Sequence, residues 1–151
     1  MLRPITGPAR PVSQYLTTFH LVLVALDPYT NESAWILETA GRVLMTFGEA
    51  DCRVGWLVTA NADDTKAFLG PWATQFSTFA DPDREMIKGL GLARLPALVH
   101  LDMNGTLVDS AEGWRPSAWR RVCEELADVL SWKAPTIPLA KDPAPYEGTP
   151  A

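Results

Sequence analysis

Phe19-His-Leu-Val-Leu-Val-Ala-Leu26 is apolar at every position except His20. A short run of this kind, without polar alternation, reads as a strand covered on both faces. Strands of that type belong to parallel sheets, whose crossover helices shield both sides. Asp27-Pro28-Tyr29 stops the run. This one segment directs the chain toward an α/β architecture.

The residues that follow supply the crossovers. Ile36, Ala40, Val43, Leu44 and Phe47 recur at helical spacing, and Gly48 suits the end of that helix. Arg53–Thr59 reads as a second buried strand. Asp63 is placed to cap a helical stretch through Phe68, which Gly70-Pro71 interrupts. Asp83 opens a short helix through Leu90. Pro96–Asp102 and Thr106–Asp109 flank Asn104-Gly105, the strongest short-range signal for a hairpin. Trp119, Val122, Cys123, Leu126 and Leu130 stripe a closing helix. The order predicts an α/β sandwich whose central mixed sheet, parallel strands plus a C-terminal hairpin, is flanked by helices.

The expected domain spans residues 19–132. Residues 1–18, with Pro4, Pro8 and Pro11, read as an extended N-terminal segment. Residues 133–151 carry Pro135, Pro138, Pro143, Pro145 and Pro150 and little large apolar surface besides Ile137 and Leu139. This tail is expected to be extended or disordered and solvated. Pro143-Ala-Pro145-Tyr146 could alternatively dock in an aromatic-lined groove as polyproline II.

Charge narrows the function classes. The chain has 13 basic and 18 acidic residues, a net charge of −5, and no Lys/Arg stripe. Nucleic acid and anionic membrane surfaces are therefore not the expected partners. No apolar run is long enough to span a bilayer and no signal peptide is read, so the expected compartment is the cytoplasm. Two cysteines and two histidines form no metal-ligand spacing, and neither a metal nor another cofactor is expected.

Three stretches in order, Phe79-Ala-Asp81-Pro82-Asp83, Gly91-Leu-Ala-Arg-Leu95-Pro96 and Leu101-Asp-Met-Asn-Gly-Thr-Leu-Val108, carry a family likeness. With the first strand they resemble the thioredoxin superfamily, nearest to peroxiredoxins and thioredoxin-like thiol-disulfide reductases, over about residues 19–132. The resemblance implies a thioredoxin-like sandwich in which Leu95-Pro96 is a cis bond beside the redox motif. It also implies a groove where an extended peptide pairs with the backbone of the residue before that proline.

The chain departs from the superfamily at the chemistry. Reductases carry Cys-x-x-Cys where the first strand meets its helix, and peroxiredoxins carry Thr-x-x-Cys. Here Thr30-Asn31-Glu32-Ser33 stands instead, with Ser33 at the cysteine position. A serine hydroxyl stays protonated without an adjacent base, whereas a thiol reacts as its thiolate. Thr30 and Ser33 are expected to cap the helix rather than catalyse.

The leading expectation is a redox-inactive binding protein whose groove is formed by Thr30, Asn31, Ser33, Trp35, Leu95 and Pro96, with no catalytic residue. Trp35 is expected to be partly exposed there, and the ligand to be an unidentified peptide, protein partner or small molecule. An alternative is an atypical thiol enzyme, reducing peroxide or exchanging disulfides through Cys52. Cys52 precedes the second strand beside Arg53 and is the candidate reactive thiol, expected to be accessible at the opposite edge. A third reading is a structural subunit of a larger complex, and a homodimer is left open. Cys123 is expected in the core. His20 and His100 read as structural strand residues, and the Asp63-Asp64 and Asp81-Asp83 pairs as helix caps.

Overall fold

The computed structural model of the chain describes Leu2, Pro4, Ile5 and residues 19–151. Among these described residues, seven strands and six helices follow in the order β1 (His20–Leu26), α1 (Asn31–Trp35), α2 (Leu37–Gly48), β2 (Cys52–Val58), α3 (Ala62–Leu69), α4 (Trp72–Gln75), β3 (Ser77–Ala80), α5 (Glu85–Gly89), β4 (Arg94–Leu95), β5 (Ala97–Leu101), β6 (Leu107–Glu112), α6 (Pro116–Leu130) and β7 (Thr149–Pro150).

Five strands form one mixed sheet in the order β3-β2-β1-β5-β6. β1, β2 and β3 run parallel, and β5 turns antiparallel against β1 with Val24 opposite Leu98. The β5–β6 hairpin closes through Asp102–Thr106, where the Asp102 carboxylate accepts from the Asn104 and Thr106 amides and Gly105 takes a φ of 81°. The pleat of β1 divides the core. Val22, Val24 and Leu26 meet Ile36, Val43, Leu44 and Phe47 on the α2 side, with Trp119, Val122 and Leu126 of α6 in the same cluster. Leu21, Leu23 and Ala25 belong to the cluster on the other face, with Phe79, Ile87, Leu95 and Val99. This is the thioredoxin-like sandwich that the sequence implied.

Several local expectations change. The expected single helix after β1 is broken at Ile36, so α1 is only a short turn ahead of α2. β3 was not anticipated: its Ser77-Thr78 start lacks an apolar signature, yet Thr78 and Phe79 pair with Trp56 and Leu57. The cap of α3 is Asn61, whose side chain accepts from the Asp64 amide, and Asp63 lies in the first turn. The Asp81 carboxylate accepts from the Met86 and Ile87 amides at the start of α5.

The larger corrections concern the ends. Leu2 is fully buried in the core and Ile5 donates its amide to Thr78 O, so part of the expected lead-in belongs to the domain. Residues 1, 3 and 6–18 of that segment lie outside the described residues. The tail is packed on the domain. Ile137 is buried, and the Asp142 carboxylate receives both terminal nitrogens of Arg42 at 2.8 and 2.9 Å, the Thr39 hydroxyl at 2.8 Å and the Leu139 amide at 2.7 Å. Burial alone would raise this carboxyl, but those donors override it and hold it down to about 2.

The two histidines face one another across β1 and β5. His20 Nδ1 and His100 Nε2 are 2.8 Å apart, and His100 is buried with its Nδ1 unpartnered. Burial, then the neighbouring His20, pushes the His100 imidazole down to about 4, against weaker pulls from Asp102 and Asp109. Between this value and the ordinary 6.5, the unfolded chain binds more protons than the folded one, so stability falls with falling pH. We expect a loss of about 2 kcal/mol between pH 7.5 and 5 from this group. Urea midpoints across that range test it. His100→Leu should flatten the slope, and an unchanged slope would assign the acid sensitivity elsewhere.

No described helix is long and apolar enough to cross a membrane. Among the described residues, no three His, Cys, Asp or Glu side chains converge in a way that could hold a metal ion.

Candidate functional site

The carboxyl ends of parallel strands are where open α/β sheets place their sites. Here that edge is built around Asp27, which follows β1. The Asp27 amide donates to Ser33 Oγ at 2.9 Å, and its carbonyl accepts from Thr30 Oγ1 at 2.8 Å. One carboxylate oxygen accepts from the Tyr29 amide, and the other pairs with Arg84 at 2.8 Å. The Tyr29 hydroxyl donates to Asp64 at 2.6 Å.

These contacts settle what Thr30 and Ser33 do locally. Neither side chain caps α1. Ser33 is fully buried with its hydroxyl committed to the Asp27 amide, and Thr30 braces the same residue. The expectation of a capping pair is corrected to a buried turn-lock. A hydroxyl in that position presents no nucleophile at the surface. Asn31 is exposed at the start of α1, and Trp35 at its end is 56% exposed.

Leu95 and Pro96 stand across from this turn. Their peptide is cis. The approach to Leu95 is fixed by Glu112 at the end of β6, whose carboxylate accepts from the Ala93 amide and from the Arg94 amide at 3.0 Å. Pro96 O accepts from the Gly113 amide at 2.7 Å.

The space between the two halves is filled by the chain's own residues 143–151. Tyr146 pairs with Trp114 in both directions, amide to carbonyl, at 3.0 and 2.8 Å. Trp114 Nε1 also donates to Pro143 O at 2.7 Å. The Tyr146 ring meets Trp35 edge-on, with centroids 5.6 Å apart, and its hydroxyl donates to Glu32 O. Thr149 then lies opposite Leu95 and Pro150 opposite Arg94, as β7 against β4. The Ala151 amide donates to Ala93 O, and Arg84 reaches Pro150 O at 3.3 Å. Trp35 and Leu95, both expected at the groove, are therefore joined by a strand that the sequence left as a solvated tail. Tyr146, Trp114, Arg84 and Glu112 were not anticipated there. The one sequence signal was the isolated Tyr146 within a polar, proline-rich stretch. It docks by antiparallel pairing rather than as polyproline II.

Cys52 is corrected. It opens β2 opposite His20, away from this edge as expected, but it is only 9% exposed and donates to Arg53 O. Burial pushes its thiol up to about 12, with a weaker opposing effect from a Val22 backbone hydrogen bond. Cys123 is buried on α6, where burial and then Glu124 push it up to about 12 as well. Trp114 and Trp119 pack edge-on inside the core.

The geometry defines a thioredoxin-like fold, and solved structures share that fold. One, assigned as the thiol:disulfide interchange protein DsbE of Chlorobium tepidum, superposes with a TM-score of 0.70 at 17% identity, covering 85% of this chain and 91% of that one. The exposed lipoprotein thioredoxin of Streptococcus pneumoniae gives 0.64 at 16% identity, over 82% and 96% of the two chains. A secreted Mycobacterium tuberculosis disulfide oxidoreductase gives 0.58 at 16% identity, over 78% and 84%. No protein-family model matches the sequence, and no curated protein matches it.

Proposed function

We propose that the chain is a redox-inactive thioredoxin-like protein that binds an extended peptide or partner segment at the Trp35–Leu95 groove. The observation that carries this reading is the β4 edge. Arg94 and Leu95 take up an extended segment in antiparallel register, with an aromatic ring seated against Trp35. Strand addition of this kind gives affinity through main-chain hydrogen bonds, and side-chain contacts give selectivity. The structural relatives carry names of thiol-disulfide oxidoreductases. On the superfamily resemblance Ser33 falls where the redox cysteine would stand, its hydroxyl is committed to the Asp27 amide, and both thiols are buried, which favours recognition without turnover. The same burial disfavours a thiol enzyme working through Cys52.

The test has two arms on the full chain. The reduced protein should neither accelerate insulin disulfide reduction nor consume peroxide above buffer. An unbiased library of extended octapeptides should contain ligands that shift the amides of Glu32, Leu95 and Thr149 and the Trp35 indole. Trp35→Ala should weaken those ligands at least fivefold. Turnover abolished by Cys52→Ser, or ligands that map only to other surfaces, would overturn the reading.

A further inference from the structure

We propose that residues 145–151 are a ligand carried within the chain, and that the external ligand is an extended peptide with the same aromatic-x-glycine spacing, which binds by displacing them. This rests on the groove reading above. It adds what the groove selects and why it is closed in the isolated chain.

The fit between segment and groove is specific at three points. Tyr146 uses both ends of its side chain: the ring lies against Trp35, and the hydroxyl donates to Glu32 O. Gly148 has a φ of +85°, and a Cβ there would collide with the Leu95 carbonyl oxygen. Gly113, at a φ of +70°, makes the matching concession from the groove side, because a Cβ there would strike the Glu147 carbonyl. Two backbones thus approach more closely than any side chain allows, which is the circumstance in which only glycine serves. A ligand that copies these contacts must place an aromatic hydroxyl two residues before a glycine.

The same segment is poorly held by burial. None of residues 143–151 is fully buried, and its attachment is mainly backbone pairing to Trp114, Ala93 and the Arg94–Leu95 edge. Segments with few buried apolar contacts open at lower free energy than the core around them. The ion pair at Asp142 lies just before the segment and outside the groove, so the strand can leave while its anchor stays. Strand exchange needs no new surface: the incoming peptide takes over the hydrogen bonds that residues 146–151 release.

The probe is a labelled octapeptide copying residues 144–151, measured against the full chain and two full-length variants, Gly148→Val and Tyr146→Ala. Gly148→Val should bind it at least tenfold more tightly than the unmodified chain, and Tyr146→Ala should shift the same way. Should Gly148→Val fail to fold, Tyr146→Ala carries the comparison. Replacing the peptide's Tyr by Ala, or its Gly by Val, should cost at least tenfold. In the unmodified chain, the Tyr146 and Ala151 amides should exchange at least a hundredfold faster than those of β1. Equal peptide binding to all three chains, or Tyr146 and Ala151 amides that open only together with β1, overturns the displacement alone. A peptide that binds none of them, although the segment's amides are freely exchanging in the variants, overturns the groove reading too.

Discussion

Native, reduced protein should react with a thiol alkylating reagent at pH 8 about a thousandfold more slowly than the same chain in 6 M guanidinium, at both cysteines. The thiolate is the reacting species, and burial pushes both Cys52 and Cys123 from an ordinary value near 9 up to about 12. Each unit of that shift removes a factor of about ten in thiolate at a given pH. Access lowers the rate further, since Cys123 is enclosed between α6 and the sheet. Single replacements, Cys52→Ala and Cys123→Ala, assign the two rates. A Cys52 that reacts as fast in the native protein as in the unfolded one would return redox chemistry to this fold at a new position.

Asp142→Ala should cost about 2–3 kcal/mol and lower the Tm by about 5–10 °C. The Asp142 side chain is 1% exposed and that of Arg42 22%. Removing the carboxylate strands the Arg42 guanidinium, the Thr39 hydroxyl and the Leu139 amide together. A half-broken buried pair is costly because the remaining charge stays desolvated, whereas removing both partners is often nearly neutral. Arg42→Met combined with Asp142→Ala should therefore recover part of the loss. Urea or thermal unfolding of the four proteins completes the cycle. A loss below about 0.5 kcal/mol, within the range of ordinary surface substitutions, would mean that residues 137–143 do not rest on α2 in solution.

The parts of this protein legible in its sequence are those specified by local pattern. The unbroken apolarity of β1, the 3.6-residue stripes of α2 and α6, and Asn104-Gly105 each encode their own element. The resemblance to the thioredoxin superfamily implied Leu95-Pro96 at the working edge, and Trp35 followed from its place directly after the Thr30–Ser33 turn. The elements without a local signature are specified by distant partners. Ser77-Thr78 becomes a strand only because Gly55 and Trp56 lie alongside. Cys52 looked accessible because a strand's first residue usually is, but it joins the core cluster beneath α2. The tail offered almost no apolar surface, and composition correctly says that it cannot form a core. Its order comes instead from backbone pairing and from an ion pair to a residue 100 positions earlier in the chain. No local window contains both partners of such contacts.

The Asp142 anchor sets the concentration against which any competitor is measured. Only Pro143, Ala144 and Pro145 separate it from Tyr146, and the two prolines stiffen that spacer. A short tether of this kind holds its segment at an effective concentration on the order of millimolar at the groove. A free peptide with the same intrinsic contacts must approach that level before it occupies half the sites. Dilute competitors that make no better contacts than the tethered segment are therefore refused. The segments that win are those delivered at comparable local density, repeated along one chain or first captured on a neighbouring surface. The tether makes the groove a reader of proximity as well as of sequence.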